Sequence, residues 1–164
     1  NFNLGWFTQY YYTFQSDENT RNLLFTSLYY NILEKPSMKA GINYQNISFK
    51  NQVPTIYFSP SKFNAVEVFI DIIKDETAAK NKEWFYGLTA AIGYQYIEGG
   101  DKQSTYRVQG KFGYKLSERA IINLYGTESN IASAVATAGS AGFTFTEFGF
   151  RFKWLFLKKP LYKK

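Results

Sequence analysis

The sequence predicts an all-β fold: an antiparallel transmembrane β-barrel with about eight strands in this chain, either closed by itself or half of a larger barrel. Three observations carry that expectation. Apolar residues recur at every second position along most of the 164 residues, turn-like segments interrupt the runs, and aromatic residues, 20% of the chain, gather toward run ends. A period of two makes a strand with a different environment on each side.

In chain order, Leu4, Trp6, Tyr10, Tyr12 and Phe14 alternate with Gly5, Phe7, Gln9, Tyr11 and Thr13. Residues 23–33 form an apolar run whose facing the pattern leaves open. Met38, Ala40, Ile42 and Tyr44 alternate with Lys39, Gly41, Asn43 and Gln45, after which Ile47 and Phe49 fall out of phase, as a bulge would cause. Val66, Val68, Ile70 and Ile72 then face away from Glu67, Phe69 and Asp71. Trp84, Tyr86, Leu88, Ala90, Ile92, Tyr94 and Tyr96 alternate with Phe85, Gly87, Thr89, Ala91, Gly93 and Gln95. Tyr106, Val108, Gly110, Phe112, Tyr114 and Leu116 oppose Arg107, Gln109, Lys111, Gly113 and Lys115. Ala120, Ile122 and Leu124 open a further strand that fades into small polar residues, and Phe148, Phe150, Phe152, Trp154 and Phe156 oppose Glu147, Gly149, Arg151 and Lys153.

Turn-forming segments at 16–19, 34–37, 53–64, 74–83, 98–101, 116–119 and 127–142 separate these runs. The stretch 130–142, rich in Ala, Ser, Thr and Gly, reads as a loop, with a short helix over 131–138 as the alternative.

A soluble β-sandwich or lipocalin also alternates, with its apolar face inward. The reverse is expected here because several runs approach the roughly 9–11 residues needed to cross a bilayer at a tilt. Aromatics also sit at run ends (Tyr10, Tyr12 and Phe14; Trp84 and Tyr86; Tyr94 and Tyr96; Trp154 and Phe156), where ring girdles lie in outer-membrane barrels. The opposite faces are rich in Gly, Gln, Asn, Thr and ions, which suits a wet lumen. Mean hydropathy is −0.32, as expected when half of the strand residues meet lipid and half meet water.

Composition narrows the function. The chain has no His and no Cys, which excludes His-based triads, Cys nucleophiles, the usual zinc sites, haem attachment and disulfides. No catalytic group, metal or cofactor is expected, and the protein is read as not an enzyme. Lys and Arg number 19 against 13 Asp and Glu, a formal charge of +6. The cations do not cluster as a nucleic-acid surface requires, so nucleic acid is not an expected partner. The densest basic run, 158–164, is read as a tail following a barrel portion over 1–157. No basic start with an apolar core is visible, so a signal peptide is expected to have been removed or to lie outside this sequence.

The expected lumenal face collects Glu67, Asp71, Arg107, Lys111, Lys115, Glu147, Arg151 and Lys153, together with the rings of Phe7, Tyr11, Phe69 and Phe85. One reading has the charges pairing across neighbouring strands and holding a small barrel shut. The other is a hydrated path in which ions and rings guide a polar solute, since a ring can stack on a sugar face while the hydroxyls stay solvated. Glu67 and Asp71 also fit a glycosidase pair, but two carboxylates four apart on one strand are too common to specify catalysis.

Short motifs resemble those of a known family. Tyr57-Phe58-Ser59-Pro60 is similar to the "YYSP" element in the C-terminal barrels of polysaccharide-export porins. Ser16-Asp17-Glu18-Asn19 followed by Arg21 resembles their "SDGN-x-R" turn, with Glu18 in place of Gly. Tyr114-Lys115-Leu116-Ser117-Glu118-Arg119 resembles their late "Y-x-L-S-x-R" turn, and Tyr125 with Ser129 echoes the strand that follows it. These outer-membrane proteins, often preceded by tetratricopeptide repeats, release cellulose, poly-N-acetylglucosamine or similar polymers, and related barrels assist surface lipoproteins.

The resemblance implies a bacterial outer-membrane location and a pore for export or translocation of polysaccharide or another polar polymer. The segments 53–64 and 127–142 would then be extracellular gates. Family barrels have about sixteen strands, within the even-numbered range of such proteins, and this chain supports half of that. The expectation is therefore either the C-terminal half of a longer protein or a small, filled barrel acting as a structural or accessory subunit of a larger envelope complex. Expected partners are outer-membrane lipid, polysaccharide and further envelope subunits.

Overall fold

The computed structural model describes residues 3–53, 58–131 and 144–156. Every regular element among the described residues is a strand: β1 (Leu4–Phe14), β2 (Thr20–Glu34), β3 (Ser37–Phe49), β4 (Phe63–Lys74), β5 (Glu83–Ile97), β6 (Gln103–Lys115), β7 (Ala120–Ser129) and β8 (Phe145–Trp154). They form one antiparallel sheet in the order β1-β2-β3-β4-β5-β6-β7-β8. The expectation of eight antiparallel strands is met. Closure is not: pairing runs from β1–β2 through β7–β8 and none joins β8 to β1, so the sheet is open at both edges.

The meander puts the connections that follow β1, β3, β5 and β7 at one end, here the odd end, and those that follow β2, β4 and β6 at the other, the even end. The two expected gate segments therefore share the odd end. Most of 127–142 lies outside the described residues, as does the alternative helix over 131–138 beyond Ile131; Thr127 to Ser129 belong to β7. The basic run 158–164 and Tyr57 also lie outside them.

Strand register shows a strong stagger. A straight cross-strand row runs from Leu4 through Tyr30, Ala40, Ile70, Ala90, Val108 and Glu128 to Thr146. It begins at the even end of β1 and finishes at the odd end of β8, so the strands tilt steeply across the sheet. Tilt of this kind is what curls a sheet toward a cylinder.

Curvature divides the two faces. Residues of one phase are repeatedly buried (Ile47, Phe63, Glu67, Phe85, Gln95, Asn123), and they mark the concave side. The other phase stays exposed and apolar, including Trp6, Ile42, Val68, Ile92, Phe112 and Phe150. Glycines open the concave side. Gly113 lies opposite Phe85 and Gly149 opposite Tyr125, with the ring filling the space a Cβ would need. Such ring-over-glycine pairs are a recurrent way to bend a sheet.

One expectation about facing is corrected, and one facing that the sequence left open is settled. β3 has no bulge at Ile47: it pairs in unbroken register to Phe49, and both side chains turn inward because the concave face is apolar at its odd end. The irregularity falls in β2, between Asn31 and Leu33. Within the run left open by the sequence, Leu23 and Phe25 are in register with concave residues, while Leu24 and Leu28 are in register with outward ones.

The family-like turns have structural work. Glu18 takes φ 62°, in the left-handed region that favours glycine, at the position where the similar motif has Gly. Asn19, almost fully buried, accepts from the backbone N–H groups of Thr20 and Asn51 and donates to the carbonyl of Asn51, tying the first turn to the β3–β4 connection. Ser117 Oγ accepts from the N–H groups of Arg119 and Ala120 and shapes the β6–β7 turn.

Candidate functional site on the concave face

The concave face changes chemistry along the strands. At the odd end, Ile47, Phe49, Phe58, Phe63 and Ala65 form a buried apolar cluster, with Leu23, Ile97 and Ile131 leaning on it. A uniformly wet lumen is therefore not what the strands build. Phe58, from the YYSP-like segment, packs edge-on against Phe63 at 5.7 Å between ring centres.

Beyond this cluster the face turns polar. Glu67 is buried and bonds Arg107 at 3.2 Å. The pair spans from β4 to β6 across β5, because β5 places only Ala91 and Gly93 between them. Charges were expected to pair between adjacent strands; this one bridges two strands apart, and small residues in the middle strand make the reach possible. Glu67 Oε1 and Thr105 Oγ1, in register on either side of Gly93, are buried without a hydrogen-bond partner among the described residues.

The next row toward the even end is Lys39, Asp71, Thr89, Gln109, Thr127 and Glu147. Asp71 accepts a 2.7 Å bond from the Thr89 hydroxyl, and Glu147 is exposed on the edge strand β8. Behind this row lies a cavity of about 200 Å³ whose lining includes Thr89, Gln109, Lys111, Tyr125 and Thr127, with Gly87, Ile73 and Asp75 also in its wall.

Three cation–ring units stand on this half of the face. Lys39 Nζ lies 5.1 Å from the Tyr29 ring centre, Lys111 Nζ 5.3 Å from Phe85, and the Arg151 guanidinium carbon 5.5 Å from Tyr125. In the last two, the ring lies over a glycine on the neighbouring strand and the cation sits two residues from that glycine (Lys111 and Gly113, Gly149 and Arg151). In the first, Lys39 sits two residues from Gly41, the register partner of Tyr29, while the ring itself lies over Gly5 of β1. None of the three cations makes an ion pair among the described residues.

The remaining cations are engaged with the β4–β5 connection, which folds inward. Lys115 Nζ donates to the carbonyl of Ala79 at 2.9 Å, and Lys153 pairs with Glu76 at 3.0 Å. Ala79 thereby covers Phe85, and the two form a buried group with Ile121. Phe85 is thus corrected from a solvated ring to a fully buried one. Phe69 is half-buried opposite Gly41 and Ala91, whereas Phe7 and Tyr11 are open on the edge strand β1.

All eight expected ionic positions lie on the concave face, and the Glu67–Arg107 pair unites two of them. Sequence reasoning missed Tyr29, Lys39, Tyr125 and the lining hydroxyls as parts of one arrangement. Its available signal was a cation two residues from a glycine in the polar phase, repeated three times. No cluster that could hold a metal ion occurs among the described residues. Comparison with protein-family models, with curated proteins and with solved structures returns no match.

Proposed function

We propose that this chain forms the wall, or part of the wall, of a bacterial outer-membrane β-barrel that passively exports or translocates a polar polymer, with polysaccharide as the cargo class. The observation that carries the proposal is the outward face. An aliphatic band including Leu28, Ile42, Val68, Ile70, Leu88, Ile92 and Val108 crosses the strands. Aromatics flank it: Trp6, Trp84, Tyr114 and Trp154 toward the even end, Tyr10, Tyr12, Tyr44, Tyr94 and Tyr96 toward the odd.

Apart from Lys74 at a strand end, Glu128 is the one charged residue in the outward phase of the described strands, and it accepts a bond from the Tyr106 hydroxyl. Other outward polar groups also pair with each other. Trp6 Nε1 donates to Thr26, Tyr10 to Asn22, and both Tyr44 and Asn46 to Asn64. Polar groups satisfied within the sheet are what a hydrocarbon environment requires.

The polar half of the concave face supports a path for a hydrated solute, and the turn motifs support the likeness to polysaccharide-export porins. An open sheet cannot face lipid along its edges. β1 and β8 run antiparallel, so they pair either with each other or with further strands.

A second reading, a filled barrel serving as an accessory subunit, is favoured by the apolar cluster around Phe63. Planar-bilayer conductance of the purified protein distinguishes the two. Large steady currents are expected for the path, with ion selectivity altered by the double substitution Arg107→Glu and Lys111→Glu. Zero current from correctly folded, heat-modifiable protein would replace the first reading with the second. A chain that stays monodisperse in buffer without detergent would remove both.

A further inference from the structure

We propose that the cavity over Gly87 is a subsite for one acidic sugar residue, of the uronate type, in the polymer that the concave face handles. The inference rests on the polymer-handling reading and adds the charge class of the substrate. The cavity, about 200 Å³, is on the scale of a single pyranose ring and carries groups suited to each part of one. The Tyr125 ring offers an apolar platform for a sugar's C–H face. Gln109, Thr89 and Thr127 offer donors and acceptors for its hydroxyls.

Charge decides the class. Three carboxylates face this region, and two of them are engaged: Asp71 accepts from the Thr89 hydroxyl and lies in register with Lys39, and Asp75 accepts from the N–H of Thr77 at 3.4 Å. Glu147 stands exposed on the edge strand. None of these carboxylates is in an ion pair among the described residues; the cations differ from Asp71 and Asp75 in making no hydrogen bond there either. Lys111 in the cavity wall, Arg151 over Tyr125 and Lys39 over Tyr29 contact rings and form no ion pair among the described residues. A carboxylate on the sugar would supply Lys111 with the charge-assisted bond it lacks, at no cost to an existing pair. Recurrence of the cation–ring unit on β3, β6 and β8 suits successive residues of a chain rather than one isolated ligand.

The test is calorimetric titration of the full chain in detergent with tetragalacturonate, against neutral maltotetraose and cationic chitosan tetramer as probes. Tetragalacturonate is expected to bind about tenfold more tightly than maltotetraose, the scale of one charged hydrogen bond, and to weaken as salt is raised. Lys111→Gln should abolish that preference. Gly87→Val should weaken both ligands by filling the cavity, since a Cβ at Gly87 meets Ile73 and Lys111 only at 3.7 and 4.0 Å and leaves the wall in place. Heat-modifiable migration confirms that each variant is folded, and Arg151→Gln provides a second charge variant if one fails.

Equal binding of maltotetraose, or preference for the chitosan tetramer, overturns the acidic class while leaving polymer handling intact. Binding of none of the three overturns the subsite. An acidic preference that survives both Lys111→Gln and Arg151→Gln places recognition elsewhere and overturns it too.

Discussion

The two ends of the concave face are made of opposite materials. At the odd end, β3, β4 and their connection bring Ile47, Phe49, Phe58, Phe63 and Ala65 together, and the neighbouring connections are tied by buried asparagine bonds. At the even end, β5 to β8 present Lys111, Lys115, Arg151 and Lys153, and the β4–β5 connection leans in over Phe85. One end spends its side chains on packing, where burial of apolar area stabilises the sheet. The other leaves Lys111 and Arg151 without a carboxylate partner among the described residues, so it retains the capacity to bind. Stability and recognition occupy different ends of the same strands.

The largest effect should therefore come from the odd end. Phe63 is fully buried, and Phe63→Ala is expected to cost about 3–5 kcal/mol, read from urea unfolding in detergent micelles. The matching change at the even end, Lys111→Gln, should shift the same transition by no more than about 0.5–1 kcal/mol, the worth of a cation–ring contact. Comparable losses from the two would break the division.

At the boundary, Arg107→Ala strands the buried Glu67 carboxylate. A loss of about 2 kcal/mol is expected, below the range for a fully buried pair because Arg107 retains a quarter of its side-chain exposure. Adding Glu67→Gln to that variant should restore part of the loss; further destabilisation would show that the carboxylate is held by something other than Arg107.

The fold was legible wherever the two faces of a strand differ in chemistry. In β4, Val66, Val68 and Ile70 alternate with Glu67 and Asp71, and the structure keeps that phase. It was illegible where both faces are apolar. In β2, Leu23 and Phe25 turn toward the concave cluster and Leu24 and Leu28 turn outward, so hydropathy carries no period there. Ile47 and Phe49 read as a bulge only on the assumption that the concave phase stays polar to the end of the strand. Of the candidate site, the ionic positions could be read from alternation alone. The cation–ring units could not, because Tyr125 meets Gly149 and Arg151 only once β7 and β8 are in register.

The odd end also contains a small local cost that can be removed. Glu18 holds φ 62° in the β1–β2 turn, where a side chain is disfavoured. Glu18→Gly should stabilise by up to about 1 kcal/mol, because Gly reaches this region without the Cβ penalty. A destabilisation would mean that the Glu18 side chain makes a compensating contact.

The smallest effect tests the even end as a surface rather than a core. Lys153 and Glu76 pair at 3.0 Å with side chains 45% and 26% exposed, so solvent screens most of their attraction. Glu76→Gln should change global unfolding by less than about 0.5 kcal/mol, a difference that vanishes at high salt. Its local consequence should be larger. The β4–β5 connection is held to the wall by this pair and by the Lys115 bond to the Ala79 carbonyl, and loss of one should raise amide exchange at residues 76–80 while β4 and β5 stay protected. Exchange unchanged in that segment would mean that Ala79, seated on Phe85 and Ile121, anchors the connection by packing, and the even end would then share the building principle of the odd one.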